Sequence, residues 1–178
     1  MEDKILAIEL GMPDTKFADE SFPVVYSATT FEMFRSVYSQ EMYRDSLREV
    51  LRILKPGGYF LCGEPMHRDI PIPEDLAPTY TQGIGAGPEG WEKCFATAQE
   101  TADAVASVGF EVHEYGEAPD GWLWWWEYAE YDDEFVADPE DAEARIIRQD
   151  GGRWITYGYV VARKPSMVSQ RPEKEKTS

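Results

Sequence analysis

The sequence predicts an α/β fold, a three-layer sheet with helices on it, from three observations. The stretch "LREVLRILKPGGYFLCGEP" (47–65) joins an amphipathic helix to a Pro-Gly-Gly turn and a short apolar run. A second helix and strand follow over 91–115. The chain then closes on an alternating apolar stretch, "RWITYGYVVARK", after a short helix. Strands alternating with helices at these lengths are the pattern of a sheet flanked by helices.

Each element has a physical reason. "PVVYS" (23–27) reads as a short buried strand, and "ATTFEMFRSV" as a connection with a helical turn. Tyr43, Leu47, Val50, Leu51 and Leu54 fall on one helical face, with Arg44, Asp45, Arg48, Glu49 and Arg52 on the wet one. Pro56 disfavours helix just before it, and Gly57-Gly58 allows a sharp turn. "YFLCGEP" then reads as a buried strand ending near Gly63. Residues 64–89 are Pro- and Gly-rich and read as a long loop. A continuous helix is expected over 91–108, stopped by Gly109, and a strand over 110–115. The run "GWLWWWEYAEYDDEF", inside an aromatic insertion at 117–137, is expected to be irregular. Asp138-Pro139 is expected to open a helix to about Arg148, with Asp as N-cap and Pro at the first helical position. The last strand is expected to run antiparallel at an edge. Residues 1–165 thus form one partial domain, and 166–178 a disordered polar tail.

The chain has 178 residues, 43% apolar, and a formal charge of −17. That length supports one domain with a core. The charge argues against nucleic-acid phosphate and anionic membranes as partners. The two cysteines, Cys62 and Cys94, are expected to be reduced structural thiols of a cytoplasmic protein. With two histidines, His67 and His113, no metal-ligand spacing is visible, and no signal peptide or membrane span is read.

These stretches resemble the C-terminal half of class I S-adenosylmethionine-dependent methyltransferases, of the type-11 or UbiE-like kind. "FADESFPVVYS" is similar to their "F-x-D-x-S-F-D-x-V-x-S" segment leading into the fourth strand. "SLREVLRILKPGGYFLCGEP" looks like their next helix, turn and fifth strand. "ADAVASVGFEVHEY" is similar to the helix and sixth strand, and "YVVARKP" to the seventh. The resemblance spans 17–165 apart from the insertion. It implies a Rossmann-like methyltransferase sheet truncated to about four strands, in the family order fourth, fifth, seventh, sixth. It implies S-adenosylmethionine as cofactor and methyl transfer to a small-molecule acceptor. The family's glycine-rich "D-x-G-x-G-x-G" loop and its ribose-binding acid do not precede Phe17. The chain alone is therefore expected to be inactive. "GIGAGPEG" (83–90) has the glycine spacing but follows "APTYTQ". It is read as a flexible or substrate-facing loop, with a permuted cofactor site as the alternative.

Candidate site residues lie at the carboxyl ends of the strands, where open α/β sheets bind ligands. The resemblance implies that Ser27, Ala28 and Thr29 line the cofactor, with Thr30 towards the substrate. Ordinary strand-end capping by hydroxyls is the plainer alternative. Glu64 and His67 are candidates to orient or deprotonate a nucleophile, with Arg68 beside them at the substrate. The family's adenine-contacting acid aligns with Gly11, so Asp14 or Glu9 takes that role only if the loop is shifted. Pro23 stands where the family usually has Asp. Trp122 and Trp125 are candidate substrate contacts. The run holding them, with Trp124 and Trp126, reads first as a hydrophobic plug packing the insertion onto the sheet, with a subunit interface and a substrate lid as the alternatives. A truncated sheet leaves "PVVYS" as an open edge, so a homodimer or another partner pairing there is the alternative function: a non-catalytic binding module.

Overall fold

A computed structural model describes residues 6–81, 90–138 and 142–166. The glycine-rich stretch at 83–89, the Pro139 helix start and the tail from 167 onward lie outside the described residues. The elements run β1 (Phe22–Ala28), α1 (Phe31–Met33), a π-helical turn (Phe34–Tyr38), α2 (Gln40–Ile53) and β2 (Leu54–His67). They continue with α3 (Ala77–Tyr80), α4 (Gly90–Cys94), α5 (Ala98–Ser107) and β3 (Glu111–Glu117). The last are α6 (Gly121–Tyr131), α7 (Asp133–Ala137), α8 (Ala142–Asp150) and β4 (Ile155–Arg163).

The four strands among the described residues make one sheet in the order β1-β2-β4-β3. β1 and β2 are parallel, and β4 is antiparallel to both β2 and β3. This is the order that the resemblance implies, and the α/β sheet with flanking helices is as expected. The expectation of β4 at an edge is corrected. β4 pairs with β2 along one edge and with β3 along the other, so it sits inside the sheet.

α2 forms where the apolar series places a helix. The Ser39 hydroxyl accepts the Met42 N–H at 3.0 Å, and Tyr43, Leu47, Val50 and Ile53 are buried. The Pro-Gly-Gly turn is not a separate connection but a bulge within β2. Pairing steps from Phe22↔Leu54 to Val24↔Tyr59, so Lys55–Gly58 bulges out of the ladder. Gly58 is required there, because a β-carbon would lie 2.9 Å from the Pro23 carbonyl oxygen.

Three further expectations are corrected. β2 continues past Gly63 to His67, because Glu64–His67 pairs with Gly158–Ile155 of β4. The helix over 91–108 is broken at Phe95–Thr97. The Ala96 carbonyl accepts the His67 N–H at 3.1 Å, and Thr97 forms a capping box with Glu100 that restarts the helix as α5. The aromatic insertion is helical rather than irregular. Trp125 and Ala129, four residues apart, form its buried face.

Two cores result. α2 and α5 cover Phe60, Cys62, Val160 and Ala162 of the sheet. At the carboxyl end of β2, Tyr80, Trp91, Phe95, Trp125 and Trp154 pack with Ile146 and Ile147 of α8. Buried Asp150 pins this second core. It accepts the Tyr80 hydroxyl at 2.7 Å and the Trp154 N–H at 3.2 Å. The opposite sheet face is far more open: Val24 is 48% and Tyr26 71% exposed. Among the described residues the outer edge of β1 has no strand partner. No helix among them is long and apolar enough to cross a membrane.

Candidate functional site at the carboxyl ends of β1 and β2

The parallel pair β1–β2 ends at Ala28 and Gly63, which are partners in register. Thr29, at φ 48°, turns the chain sharply off β1, and its N–H donates to the Gly63 carbonyl at 3.1 Å. Two cavities meet at Thr29. One, of about 400 Å³, lies over the sheet, bounded by Tyr26, Ala28, Gly63, Trp124 and Tyr159. Gly63 opens it: a β-carbon there would meet only the Gly158 carbonyl oxygen, at 3.9 Å. The other, of about 490 Å³, runs under α1 and α6 and is lined by Glu32, Pro65, Trp125, Glu143 and Tyr157. Thr29, Tyr128 and Tyr157 border both.

A buried charged cluster supports the second cavity. Glu64 is fully buried, and the Cys62 thiol donates to its Oε2 at 3.7 Å. Arg35 Nη2 lies 3.5 Å from Glu64 Oε1 and donates to the Tyr43 hydroxyl at 2.6 Å and the Thr101 hydroxyl at 3.1 Å. Its guanidinium carbon is 4.3 Å from the centre of the Tyr43 ring. Glu32, on the helical turn after β1, is 4% exposed, and its Oε2 has no hydrogen-bond partner among the described residues. Burial, and secondarily the neighbouring Glu64 carboxyl, push Glu32 up to about 8. Glu64 is raised by burial, opposed by Arg35. Cys62 is raised well above an ordinary thiol by burial and Glu64, so it is no ready nucleophile.

The sequence candidates separate into groups. Ala28 and Thr29 line the cavity over the sheet, and Ser27 is half-buried in β1, opposite Cys62. The Thr30 hydroxyl donates to the Ala28 carbonyl at 3.0 Å at the exposed strand end. Asp14 is exposed and paired with Lys16, whose ammonium lowers its carboxyl. Glu64 and His67 share no hydrogen bond. His67 stacks on Trp154 at 4.6 Å between ring centres, and its Nε2 is 3.9 Å from Glu100. Arg68 faces Glu117 at 3.8 Å. Trp125 is buried, lines the larger cavity, and its indole N–H donates to the Thr156 carbonyl at 3.1 Å. Trp122 packs edge-on against Trp126. Glu32, Tyr128 and Tyr157 were not singled out from the sequence. The one signal for Glu32 is an acid inside the apolar turn "FEMF".

A methyltransferase domain family matches residues 4–62. No curated protein matches. Among solved structures, the chain is similar to the 4+2 cyclase SpnF, with 20% identity and a TM-score of 0.57 over 85% of this chain and 53% of that one. It is similar to a sarcosine dimethylglycine methyltransferase from Galdieria sulphuraria, with 18% identity and a TM-score of 0.58 over 85% and 56%. It is also similar to phosphoethanolamine N-methyltransferase 2 from Haemonchus contortus, solved with phosphomonomethylethanolamine and S-adenosylhomocysteine. That match has 17% identity and a TM-score of 0.57 over 86% of this chain and 36% of that one. The chain thus spans about half or less of the length of these proteins. At these identities the likeness is one of fold, and the cyclase illustrates that one fold hosts more than one chemistry. Residues 4–62 carry the methyltransferase domain match, and the sheet they enter has the fold of the class I S-adenosylmethionine-dependent methyltransferases.

Proposed function

We propose that this chain serves S-adenosylmethionine-dependent methyl transfer to a small-molecule acceptor. The observation that carries this reading is the pair of cavities meeting at Thr29, at the carboxyl ends of two parallel strands. Similar folds are named for small acceptors or solved with them, such as dimethylglycine and phosphomonomethylethanolamine. Bound S-adenosylmethionine supplies an electrophilic methyl group on a sulfonium. Methyl transfer asks the protein chiefly for alignment and exclusion of water.

The residues present fit the cofactor on one side only. Ala28, Thr29 and Gly63 offer close backbone approach, and the cavity they line has no carboxylate for a ribose diol among the described residues. We therefore infer that the site is completed across the open edge of β1, and that the chain alone does not turn over. Calorimetric titration of the purified chain with S-adenosylmethionine and S-adenosylhomocysteine tests this. Heat too weak for micromolar binding is expected. Saturable micromolar binding would mean that the chain builds the whole site itself.

The open edge also favours a second reading, a module that pairs with another chain, including a second copy, through β1. The exposed Val24 and Tyr26, beside a strand edge with no partner among the described residues, support it. Light scattering is the test. A dimer dispersed by Val24→Lys would support this reading, and a monomer at all concentrations would remove self-pairing.

A further inference from the structure

We propose that the cavity under α1 and α6 binds an organic ammonium, so that the methyl acceptor is an amine held among Glu32, Trp125, Tyr128 and Tyr157. This rests on the methyl-transfer reading only for the ligand's role as acceptor. The cation site itself stands on the cavity.

Three observations carry it. The cavity, about 490 Å³, has the size of a small-molecule site. Its wall is aromatic: Trp125 and Tyr157 have ring centres 5.3 Å apart at 46°, and Trp125 and Tyr128 6.2 Å apart at 67°. Aromatic side chains attract ammonium groups through the electron-rich faces of their rings. The charged groups on the described wall are acids alone, Glu32 from α1 and Glu143 from α8. Glu32 Oε2 is buried and unpartnered among the described residues. A buried polar atom without a partner is costly and calls for an explanation. A cation seated in the cavity supplies the missing partner.

The surrounding groups fix how this site responds to pH. The Glu64 carboxyl of β2 raises Glu32, while Arg35 of the π-helical turn lowers it. Tyr157 of β4 is itself raised, by burial and by Glu32, and stays a neutral phenol. Tyr128 and Glu143 face the cavity from α6 and α8. Glu32, held near 8, gains its charge only in mildly alkaline solution unless a cation arrives to stabilise it. In its ionised form, Glu32 can accept the proton of a bound ammonium, leaving the amine lone pair free to act as a nucleophile and Glu32 as the neutral acid.

The test needs no cofactor. Choline and its neutral isostere 3,3-dimethylbutan-1-ol are titrated into the full chain, reading tryptophan fluorescence. Choline is expected to saturate and the isostere not. Choline affinity should rise as pH passes through about 8, and Glu32→Gln should flatten that profile and weaken binding about tenfold at the alkaline end. Tyr157→Leu should weaken binding at every pH. Equal binding of the isostere, no saturation by choline, or a pH profile unchanged in Glu32→Gln would each overturn the proposal. Competition separates the two sources of an onium cation. Displacement of choline by S-adenosylmethionine but not by S-adenosylhomocysteine would assign the cavity to the cofactor's sulfonium and overturn the acceptor assignment. Choline binding with no shift of the Ala28, Thr29 and Gly63 amides on addition of S-adenosylhomocysteine would leave the ammonium site standing while removing support for the methyl-transfer reading.

Discussion

Arg35 and Glu64 face each other at 3.5 Å with side chains 5% and 1% exposed, and they join the helical turn after β1 to the end of β2. The guanidinium is shared with Tyr43 and Thr101, so α2 and α5 converge on the same point. Breaking a buried pair from one side strands the other charge. Arg35→Met is expected to cost about 3 kcal/mol in urea denaturation. Adding Glu64→Gln should recover most of that loss. Full additivity of the two losses would mean that the residues do not act as a pair.

Glu32 predicts an unusual pH slope. Its carboxyl is near 8 in the fold against an ordinary 4.5, so the folded chain binds a proton more firmly than the unfolded one. The contribution is fully present below about 4.5 and is lost as pH rises through 8. Thermal melts across that range should show stability falling with pH, and Glu32→Gln should reduce the slope. A variant with the parent's slope would contradict the buried, unpartnered placement of Glu32.

Glu49 works in the opposite direction. It is held down to about 2, chiefly by hydrogen bonds from Arg52 and then from Thr15. Arg52 Nε donates to its Oε2 and the Thr15 N–H to its Oε1, at 2.7 and 2.9 Å. The stabilisation is present above about 4.5 and is lost as pH falls towards 2. Acid unfolding followed by circular dichroism should begin at higher pH in Arg52→Met than in the parent. Identical acid midpoints would contradict the Arg52–Glu49 contact.

Much of the fold was legible because its signals are local. The apolar series from Tyr43 to Leu54 placed α2, and the alternation in "ITYGYVVAR" placed β4. The bulge at Lys55–Gly58 was visible as Pro and Gly, but its place inside a strand is set by pairing with β1, which no local pattern encodes. The break before α5 was missed for a similar reason. It depends on the Ala96 carbonyl meeting the His67 N–H. The candidate site was half legible. Ala28 and Thr29 follow from the rule that ligands sit at strand ends. Glu32, Tyr128 and Tyr157 come together only through the packing of α1, α6 and β4.

The capping box offers a small, clean test of that break. Thr97 accepts the Glu100 N–H at 3.1 Å, and the Glu100 carboxylate accepts the Thr97 N–H at 2.9 Å. Thr97→Ala should lower stability by about 1 kcal/mol. A loss near zero would mean that α5 does not start there.

The cavity over the sheet depends on Gly63 having no side chain. Gly63→Val should still fold, because its β-carbon meets only one atom, at 3.9 Å, and its methyl groups have the cavity over the sheet to enter. It should abolish any contact of the chain with S-adenosylhomocysteine. Retained ligand contact would place the cofactor elsewhere.

The most direct measurement is a nuclear magnetic resonance titration of the isotopically labelled chain with S-adenosylhomocysteine. The predicted result is weak, saturable shifts of the Ala28, Thr29 and Gly63 amides, lost in Gly63→Val. Unmoved amides at those positions up to the solubility limit of the ligand would contradict a cofactor wall at the ends of β1 and β2.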